Sequence, residues 1–298
     1  MVAKKKIVFI IIIIVVMLFT VLSFLSRHFF TDRVNETEIL KIFSTFTEKP
    51  TLKTVFYEKY KVRYLNGGNK DKPTVMFIHG SPGSLSDYIN YFKDTTLFSN
   101  SNLISVDRPG YGGSNPEMLV RSLEEQAKAL NSVFENENIT DSIILVGHSY
   151  GGPVAVKMAL DYPEKIKGLL LISPALDPAL ETWKWYQKLA VSEFGRIIVP
   201  EQLIIAAEEI KSLKEQLTDL EPDYPNIEAS TILMQGEKDK LVSKGNAVFA
   251  EKIMNPTKLK VELFPSENHF IPWTQKEAVI KNIMRLLSIE EKKKPEGN

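Results

Sequence analysis

A series of short apolar segments, separated by amphipathic ones, constrains the fold of this chain more than any other feature. The segments occupy residues 74–80, 102–110, 142–149, 168–174, 230–239 and 260–265. Each is apolar on both faces, which is typical of parallel strands that are buried beneath helices. The stretches between them carry apolar residues at helical spacing, as in Leu123, Ala127, Leu130 and Phe134. This alternation predicts an α/β protein with one doubly wound, mostly parallel sheet.

The predicted main domain covers residues 54–288, and one interval inside it is too long for a single crossover helix. The interval lies between the fourth and the fifth apolar segments, and its pattern indicates two helices, at 179–194 and 201–217. We therefore expect a small helical lid, inserted at about 177–229 above the carboxyl ends of the strands.

The two ends of the main domain have their own patterns. Residues 54–65 predict either an antiparallel pair of strands or one long bent strand. The mixed polar segment 27–53 is interpreted as a tether with one short helix. The charged tail, 289–298, is predicted to be disordered because its composition offers no core.

Composition excludes several classes of function. Basic and acidic residues number 37 each, so the formal net charge is zero, and the sequence has no basic stripe. Nothing in the charge pattern therefore predicts nucleic-acid binding. The chain has no cysteine, which excludes disulfides, thiolate metal sites and a cysteine nucleophile.

The N-terminus carries an uninterrupted apolar run from Ile7 to Ser26. Twenty helical residues span roughly 30 Å, the thickness of the hydrocarbon core of a bilayer. Residues 1–26 are interpreted as a single-pass transmembrane helix, with a cleaved signal peptide as the alternative. Because Lys4–Lys6 precede the run, the positive-inside rule predicts a cytoplasmic N-terminus and an extracytoplasmic main domain.

The sequence Gly-His-Ser-Tyr-Gly places Ser149 between a predicted strand and a predicted helix. A sharp strand-to-helix turn exposes the serine and brings the residues two before and two after it close together. Gly147 and Gly151 therefore have a steric reason to be glycine. This context predicts that Ser149 is a nucleophile.

A serine nucleophile needs a base, and the chain has four histidines. His28 lies at the membrane edge, His79 lies in a loop after the first apolar segment, and His148 lies inside the turn, where its side chain is expected to pack. His269 follows the last predicted strand and is the predicted base.

The acid that orients the base is predicted to be Asp239, at the end of the preceding strand. Asp177, after the strand before that, is the alternative. The resulting chain order is Ser149, Asp239, His269, which is the order found on one of the folds that carry this triad.

At this point the sequence resembles the α/β-hydrolase superfamily over about residues 55–288. The motifs that carry the resemblance occur in the order of that family: HGSPGS, DRPGYGGS, GHSYG, GEKD and NH. The resemblance implies the α/β-hydrolase fold and an oxyanion hole formed by the backbone amides of Ser81 and Tyr150. Pro82 has no N–H to donate, which favours Ser81 over its neighbour. The DRPGYGGS segment is expected to support the oxyanion loop through glycine turns, without a catalytic role.

Two departures narrow the resemblance. A serine nucleophile makes the dehalogenases and epoxide hydrolases, which use aspartate, unsuitable templates. The turn also lacks the GGSWG form that is typical of proline iminopeptidases. The resemblance then implies cleavage of an ester, or of a related acyl or C–C bond, through an acyl-enzyme, with no metal and no cofactor.

The expected substrate is a small acyl compound, of apolar character. The lid offers a single indication, a predicted helical face with Trp183, Tyr186, Ala190 and Phe194. The favoured interpretation is that this face packs on the main domain; the alternative is that it lines an acyl pocket or contacts the membrane. A non-catalytic ligand-binding or signalling protein with a vestigial triad is the second functional hypothesis.

Overall fold

A computed structural model of the chain describes Lys6, Met17, residues 35–115 and residues 118–291. The predicted transmembrane helix at 7–26 lies outside these residues except for Met17, and so do residues 292–298 of the predicted tail. None of the helices in the described part of the chain is long and apolar enough to cross a bilayer.

Eight strands form one sheet. In chain order they are β1 (Thr51–Tyr57), β2 (Tyr60–Gly68), β3 (Thr74–Ile78), β4 (Asn102–Val106), β5 (Ile143–His148), β6 (Ile166–Ile172), β7 (Ser230–Gly236) and β8 (Leu259–Phe264). Their order across the sheet is β1-β2-β4-β3-β5-β6-β7-β8. The pairs β1–β2 and β2–β4 are antiparallel, and every other pair is parallel. The predicted doubly wound, mostly parallel sheet is confirmed.

Ten α-helices complete the described fold: α1 (Glu36–Ile42), α2 (Thr95–Asn100), α3 (Leu123–Asn136), α4 (Gly151–Asp161), α5 (Trp185–Val191), α6 (Glu193–Ile198), α7 (Glu201–Leu220), α8 (Gly245–Ile253), α9 (Ile271–Thr274) and α10 (Lys276–Glu291). Short 3-10 helices lie at Leu85–Tyr91 and Glu221–Asn226. The sheet is thus covered by helices along most of its length.

Strand β3 shows why the sheet is buried on both faces. All five of its residues are buried, and alternate side chains enter different cores. Met76 and Ile78 pack with the apolar face of α3 in one core, whereas Val75 and Phe77 pack with α10 in the other. A strand with two buried faces needs apolar residues at every position, which explains the continuous apolar segments of the sequence.

Residues 54–65 form an antiparallel pair, which decides between the two predicted alternatives. The chain reverses at Glu58, whose φ is +50°, and the register pairs Tyr57 with Tyr60. Preceding this pair, α1 begins with a capping box between Asn35 and Glu38. Ile39 is buried in the same core as α10, and this contact anchors α1 on the main domain. The segment predicted as a tether, 27–53, therefore contains a docked helix and the start of β1.

The lid, as we define it, comprises α5, α6, α7 and the following 3-10 helix (185–226). The helix predicted at 179–194 is wrong in its extent, because Ser192 ends α5 and starts α6 by accepting a hydrogen bond from the Gly195 amide over 3.0 Å. This break divides the predicted aromatic face. Ala190 is buried, but Tyr186 and Phe194 are 46% and 63% exposed, so they do not pack on the main domain as predicted.

Candidate active site

Ser149 occupies a strained turn between β5 and α4. Its φ is +54°, in the left-handed region that non-glycine residues seldom adopt. The turn is held from both sides, since the Ser149 amide donates to the Ile172 carbonyl over 3.0 Å and its own carbonyl accepts from the Gly152 amide over 3.0 Å. The hydroxyl group is thereby presented at the carboxyl edge of the sheet.

The strand-to-helix turn at Gly147–Gly151, which we call the elbow, has a glycine at each end, and both glycines have the steric role that the sequence predicts. A Cβ atom on Gly147 would lie 2.5 Å from the Gly151 carbonyl oxygen, and one on Gly151 would lie 2.3 Å from the Ile78 carbonyl oxygen. Neither position can accept a side chain without moving the backbone. On the other side of the turn, a Cβ atom on Gly80 would lie 3.0 Å from the Cβ of Ser149. The loop after β3 therefore runs directly beside the serine.

His269 and Asp239 form a hydrogen-bonded pair. The Nδ1 of His269 lies 2.7 Å from the Oδ2 of Asp239, and the Oδ1 accepts hydrogen bonds from the amides of Leu241 and Val242, each over 2.9 Å. Burial favours the neutral acid, but the hydrogen bond to His269 and these amides outweigh it and lower the pKa of Asp239. Since an ionised carboxylate only accepts, Nδ1 carries the proton, and Nε2 of the neutral ring is left with a lone pair that can accept one.

The alternative acid, Asp177, has a different task. Its Oδ1 accepts a hydrogen bond from the Ala179 amide over 2.8 Å, while its own amide donates to Asn246 over 2.8 Å. These contacts fix the start of the lid connection. The structure thus pairs His269 with Asp239 and leaves Asp177 as a turn residue.

His148 links the elbow to the loop that carries His269. Its Nε2 lies 3.0 Å from the backbone carbonyl of His269, and the two ring centroids are 4.7 Å apart. Burial, together with the nearby His269, lowers the pKa of His148 to about 3. A neutral ring that donates from Nε2 is the consequence. The sequence predicted only packing for this side chain, and nothing in the motif indicates a contact 121 positions away.

The predicted oxyanion donors, Ser81 and Tyr150, lie on the two segments that flank Ser149. Within the part of the chain that the structure describes, neither backbone amide donates a hydrogen bond. Tyr150 is also the N-cap residue of α4, whose N-terminal end favours negative charge. Two unpaired N–H groups beside a serine are suited to binding the oxygen of a tetrahedral intermediate.

Residues 79–83, which we call the oxyanion loop, are held by Arg108. The amide of Arg108 donates to Nε2 of His79 over 3.0 Å, and its side chain donates to the carbonyls of His79 and Gly80 over 3.0 and 2.8 Å. Burial and the charge of Arg108 lower the pKa of His79 well below its usual value. The DRPGYGGS segment thus supports the loop through this guanidinium, and not only through the glycine turns that its sequence predicts.

Metal ligation has no candidate in residues 35–115 and 118–291, where no group of three or more histidine and acidic side chains could hold an ion. The polar groups described above instead pair with one another. The arrangement can place a nucleophile, a base and two amide donors around a substrate carbonyl, which is the chemistry of acyl transfer.

Comparison with known proteins agrees with this geometry. The family model for the alpha/beta hydrolase fold matches residues 73–197. An acetyltransferase component of the acetoin cleaving system from Cupriavidus necator is 33% identical over 114 residues, 38% of this chain and 29% of that protein. The chain spans less than a third of the length of the first relatives it matches.

Two longer likenesses cover most of the chain. The 2-hydroxy-6-oxo-6-phenylhexa-2,4-dienoate hydrolase of Burkholderia cepacia is 24% identical over 259 residues, 72% of this chain and 87% of the relative. The crystal structure of an esterase from Rhodococcus has a TM-score of 0.63 at 17% identity, over 80% of this chain and 98% of the esterase. Together with the sheet order and the strand-to-helix turn at Ser149, the family model and these likenesses show the α/β-hydrolase fold and are consistent with the α/β-hydrolase superfamily.

Proposed function

We propose that the protein is a serine hydrolase that cleaves a carboxylic ester or a related acyl bond through an acyl-enzyme. The observation that carries the proposal is the 2.7 Å contact between His269 Nδ1 and Asp239 Oδ2, together with the positive φ of Ser149, whose chain neighbour His148 has its ring centroid 4.7 Å from that of His269. A non-glycine residue at positive φ costs conformational free energy, and such strain is concentrated at active sites. A histidine oriented by a carboxylate is the base that a serine nucleophile needs.

In the proposed reaction, His269 Nε2 accepts the hydroxyl proton as Ser149 Oγ attacks the substrate carbonyl. Asp239 keeps the proton on Nδ1 and stabilises the imidazolium that forms. The imidazolium then protonates the leaving alkoxide, and the acyl group remains on Ser149. Water activated by the same histidine releases the acid.

The negative charge that develops on the carbonyl oxygen is assigned to the amides of Ser81 and Tyr150. Both are free to donate, and the oxygen would lie at the N-terminal end of α4. Because these donors are backbone groups, they are positioned before the substrate binds and need little reorganisation.

An apolar acyl substrate is supported by the side chains near the base. Phe270 and Trp273 are 48% and 44% exposed, and the ring of Trp273 lies edge-on to that of His148, 5.4 Å away. Leu241, two residues after the catalytic acid, is 56% exposed. Exposed apolar groups beside a polar reaction centre provide a surface for an acyl chain.

A membrane location completes the proposal. The apolar run from Ile7 to Ser26 has the length of a single transmembrane helix, and Lys4–Lys6 favour a cytoplasmic N-terminus. In this arrangement the hydrolase domain is extracytoplasmic and is held near lipid, which is a source of apolar esters.

The test is reaction with a fluorophosphonate probe and turnover of p-nitrophenyl esters of increasing acyl length. We expect labelling of Ser149, and turnover that improves as the chain lengthens from acetate to octanoate. Ser149→Ala is the matched control, because it removes one oxygen atom and leaves the turn in place. A folded wild-type protein that is not labelled and does not turn over any of the esters would overturn the proposal. That result is expected of a non-catalytic ligand-binding protein.

A further inference from the structure

Glu209, on lid helix α7, lies fully buried against the oxyanion loop. Its Oε1 accepts hydrogen bonds from Arg108 Nη1 over 2.7 Å and from Gln126 Nε2 over 2.9 Å. Its Oε2 accepts from Ser81 Oγ over 2.5 Å and from Tyr111 Oη over 2.6 Å. The carboxylate is therefore the common acceptor of side chains from three separate parts of the fold.

Arg108, the ion-pair partner of Glu209, contacts the segments that contain both predicted oxyanion donors. The guanidinium donates to the carbonyls of His79 and Gly80, the two residues that precede Ser81. Its central carbon also lies 4.8 Å from the ring centroid of Tyr150, whose amide is the second donor. The Arg108–Glu209 pair thus contacts the segments on either side of Ser149.

The geometry of this pair is suited to positioning. Burial lowers the pKa of Arg108, but the carboxylate of Glu209 more than offsets this and leaves the pKa raised, so the guanidinium stays charged. A buried ion pair is weak evidence for stability, because desolvation of both charges opposes their attraction. A planar guanidinium with fixed donors, in contrast, can hold two carbonyls and a carboxylate in one geometry.

We infer that Glu209 is a positioning residue for the oxyanion hole, acting through Arg108 and the Ser81 hydroxyl. The lid helix that carries it then belongs to the catalytic apparatus and is more than a cover over the site. This inference rests on the proposed function. It deepens that function by assigning transition-state stabilisation partly to the lid.

The experiment compares Glu209→Gln with Glu208→Gln. The substitution Glu209→Gln nearly conserves the side-chain volume but replaces one of the two acceptor oxygens with an NH2 group and removes the negative charge, so one of the two pairs of donors loses its acceptor. Glu208 is the matched control, since it is also buried on α7 but binds Arg121 and Arg196 over 2.8 and 2.6 Å, away from the oxyanion loop. Both variants remove one carboxylate from the same helix.

We expect Glu209→Gln to lower kcat by about 10²-fold, the effect of a displaced oxyanion donor, with KM changed by less than about threefold. Glu208→Gln is expected to keep both constants within about threefold of wild type. An aliphatic trifluoromethyl ketone, whose tetrahedral adduct with Ser149 carries the oxyanion, supplies the second readout. Its Ki should rise in Glu209→Gln by the factor that kcat/KM falls.

A second variant, Tyr111→Phe, tests the inference if Glu209→Gln fails to fold. It is needed because Glu209→Gln leaves the buried Arg108 with a weakened partner. The variant removes only the hydroxyl that lies 2.7 Å from Ser81 Oγ and 2.6 Å from Glu209, and it keeps the ion pair. We expect kcat to fall by about tenfold at unchanged KM, which is the value of one hydrogen bond to a charged group.

The outcomes separate this inference from the proposed function. A wild-type protein that neither turns over esters nor binds the ketone refutes the proposed function. An active wild type in which Glu209→Gln and Glu208→Gln behave alike, or in which Glu209→Gln raises KM alone, refutes the positioning role. If Glu209→Gln does not fold, unchanged kcat in Tyr111→Phe refutes it as well.

Discussion

The Nε2 of His148 donates a hydrogen bond to the backbone carbonyl of His269, over 3.0 Å. The carbonyl can only accept, so this contact fixes the proton of His148 on Nε2. One partner immediately precedes the proposed nucleophile Ser149 in the chain, and the other is the proposed base. The hydrogen bond therefore ties the elbow to the loop that carries the base, independently of the contact between His269 and Asp239.

The first prediction concerns acid stability. Burial lowers the pKa of His148 to about 3, so between this value and the unfolded pKa the unfolded chain binds a proton that the native state does not. Stability is therefore lost as the pH falls below about 6.5, the unfolded pKa of histidine. At pH 5 the loss attributable to His148 is about 2 kcal/mol, from 1.36 kcal/mol per unit.

The measurement is urea unfolding of wild type and His148→Gln at pH 7.5 and pH 5, in the same detergent. Gln cannot titrate but keeps a side-chain donor, so its free energy of unfolding should depend less on pH, by about 2 kcal/mol over this interval. His79 is also buried with a lowered pKa, and it titrates in both proteins and cancels in the comparison. Equal pH dependence in the two proteins would contradict the assignment.

The second prediction concerns the nucleophile and the base. Ser149→Ala should abolish ester turnover, and His269→Ala should cost a similar factor, on the order of 10⁴–10⁶ in kcat, because triad members act as a unit. Thermal unfolding checks that each variant remains folded. A rate in Ser149→Ala above about a tenth of the wild-type rate would mean that another group attacks the substrate.

The third prediction separates the two candidate acids. Asp239→Asn should lower kcat by about 10⁴, because the amide no longer holds the required tautomer of His269. Asp177→Asn is the control and should change kcat little, since this side chain caps a turn through the Ala179 amide. Steady-state kinetics with one p-nitrophenyl ester gives both values. A larger effect at Asp177 than at Asp239 would reverse the assignment.

The sheet could be predicted from the sequence because a strand buried on both faces leaves a continuous apolar run. Strands such as β3 and β5 are read in this way, and the helix that follows β5 shows its own periodicity. The division of the lid at Ser192 could not be predicted as easily. Local capping decides it, and the apolar spacing on either side still resembles that of one helix.

The reactive groups of the site have local signatures, but the residues that hold them do not. Ser149 lies in a short motif, and His269 and Asp239 follow strands whose ends meet at one edge of the sheet. Glu209 lies in an ordinary amphipathic helix, 101 positions from Arg108. A pairing at such a separation depends on where the lid docks, which the spacing of apolar residues does not specify.

The last prediction concerns the membrane. If Ile7–Ser26 is an uncleaved anchor, the mature protein keeps its N-terminus and stays in the membrane fraction after high salt and alkaline carbonate. A helix of twenty predominantly apolar residues satisfies its backbone hydrogen bonds internally and spans the hydrocarbon core, so neither treatment should release it. Protease added outside intact cells should digest the main domain, which the positive-inside rule places opposite Lys4–Lys6. The matched control carries Val15→Lys and Val16→Lys, which cost about 3 kcal/mol each at the helix centre and should prevent insertion. N-terminal sequencing distinguishes the anchor from a cleaved signal peptide. A mature protein that starts between residues 22 and 30 would refute the anchor and leave the proposed chemistry of Ser149 unchanged.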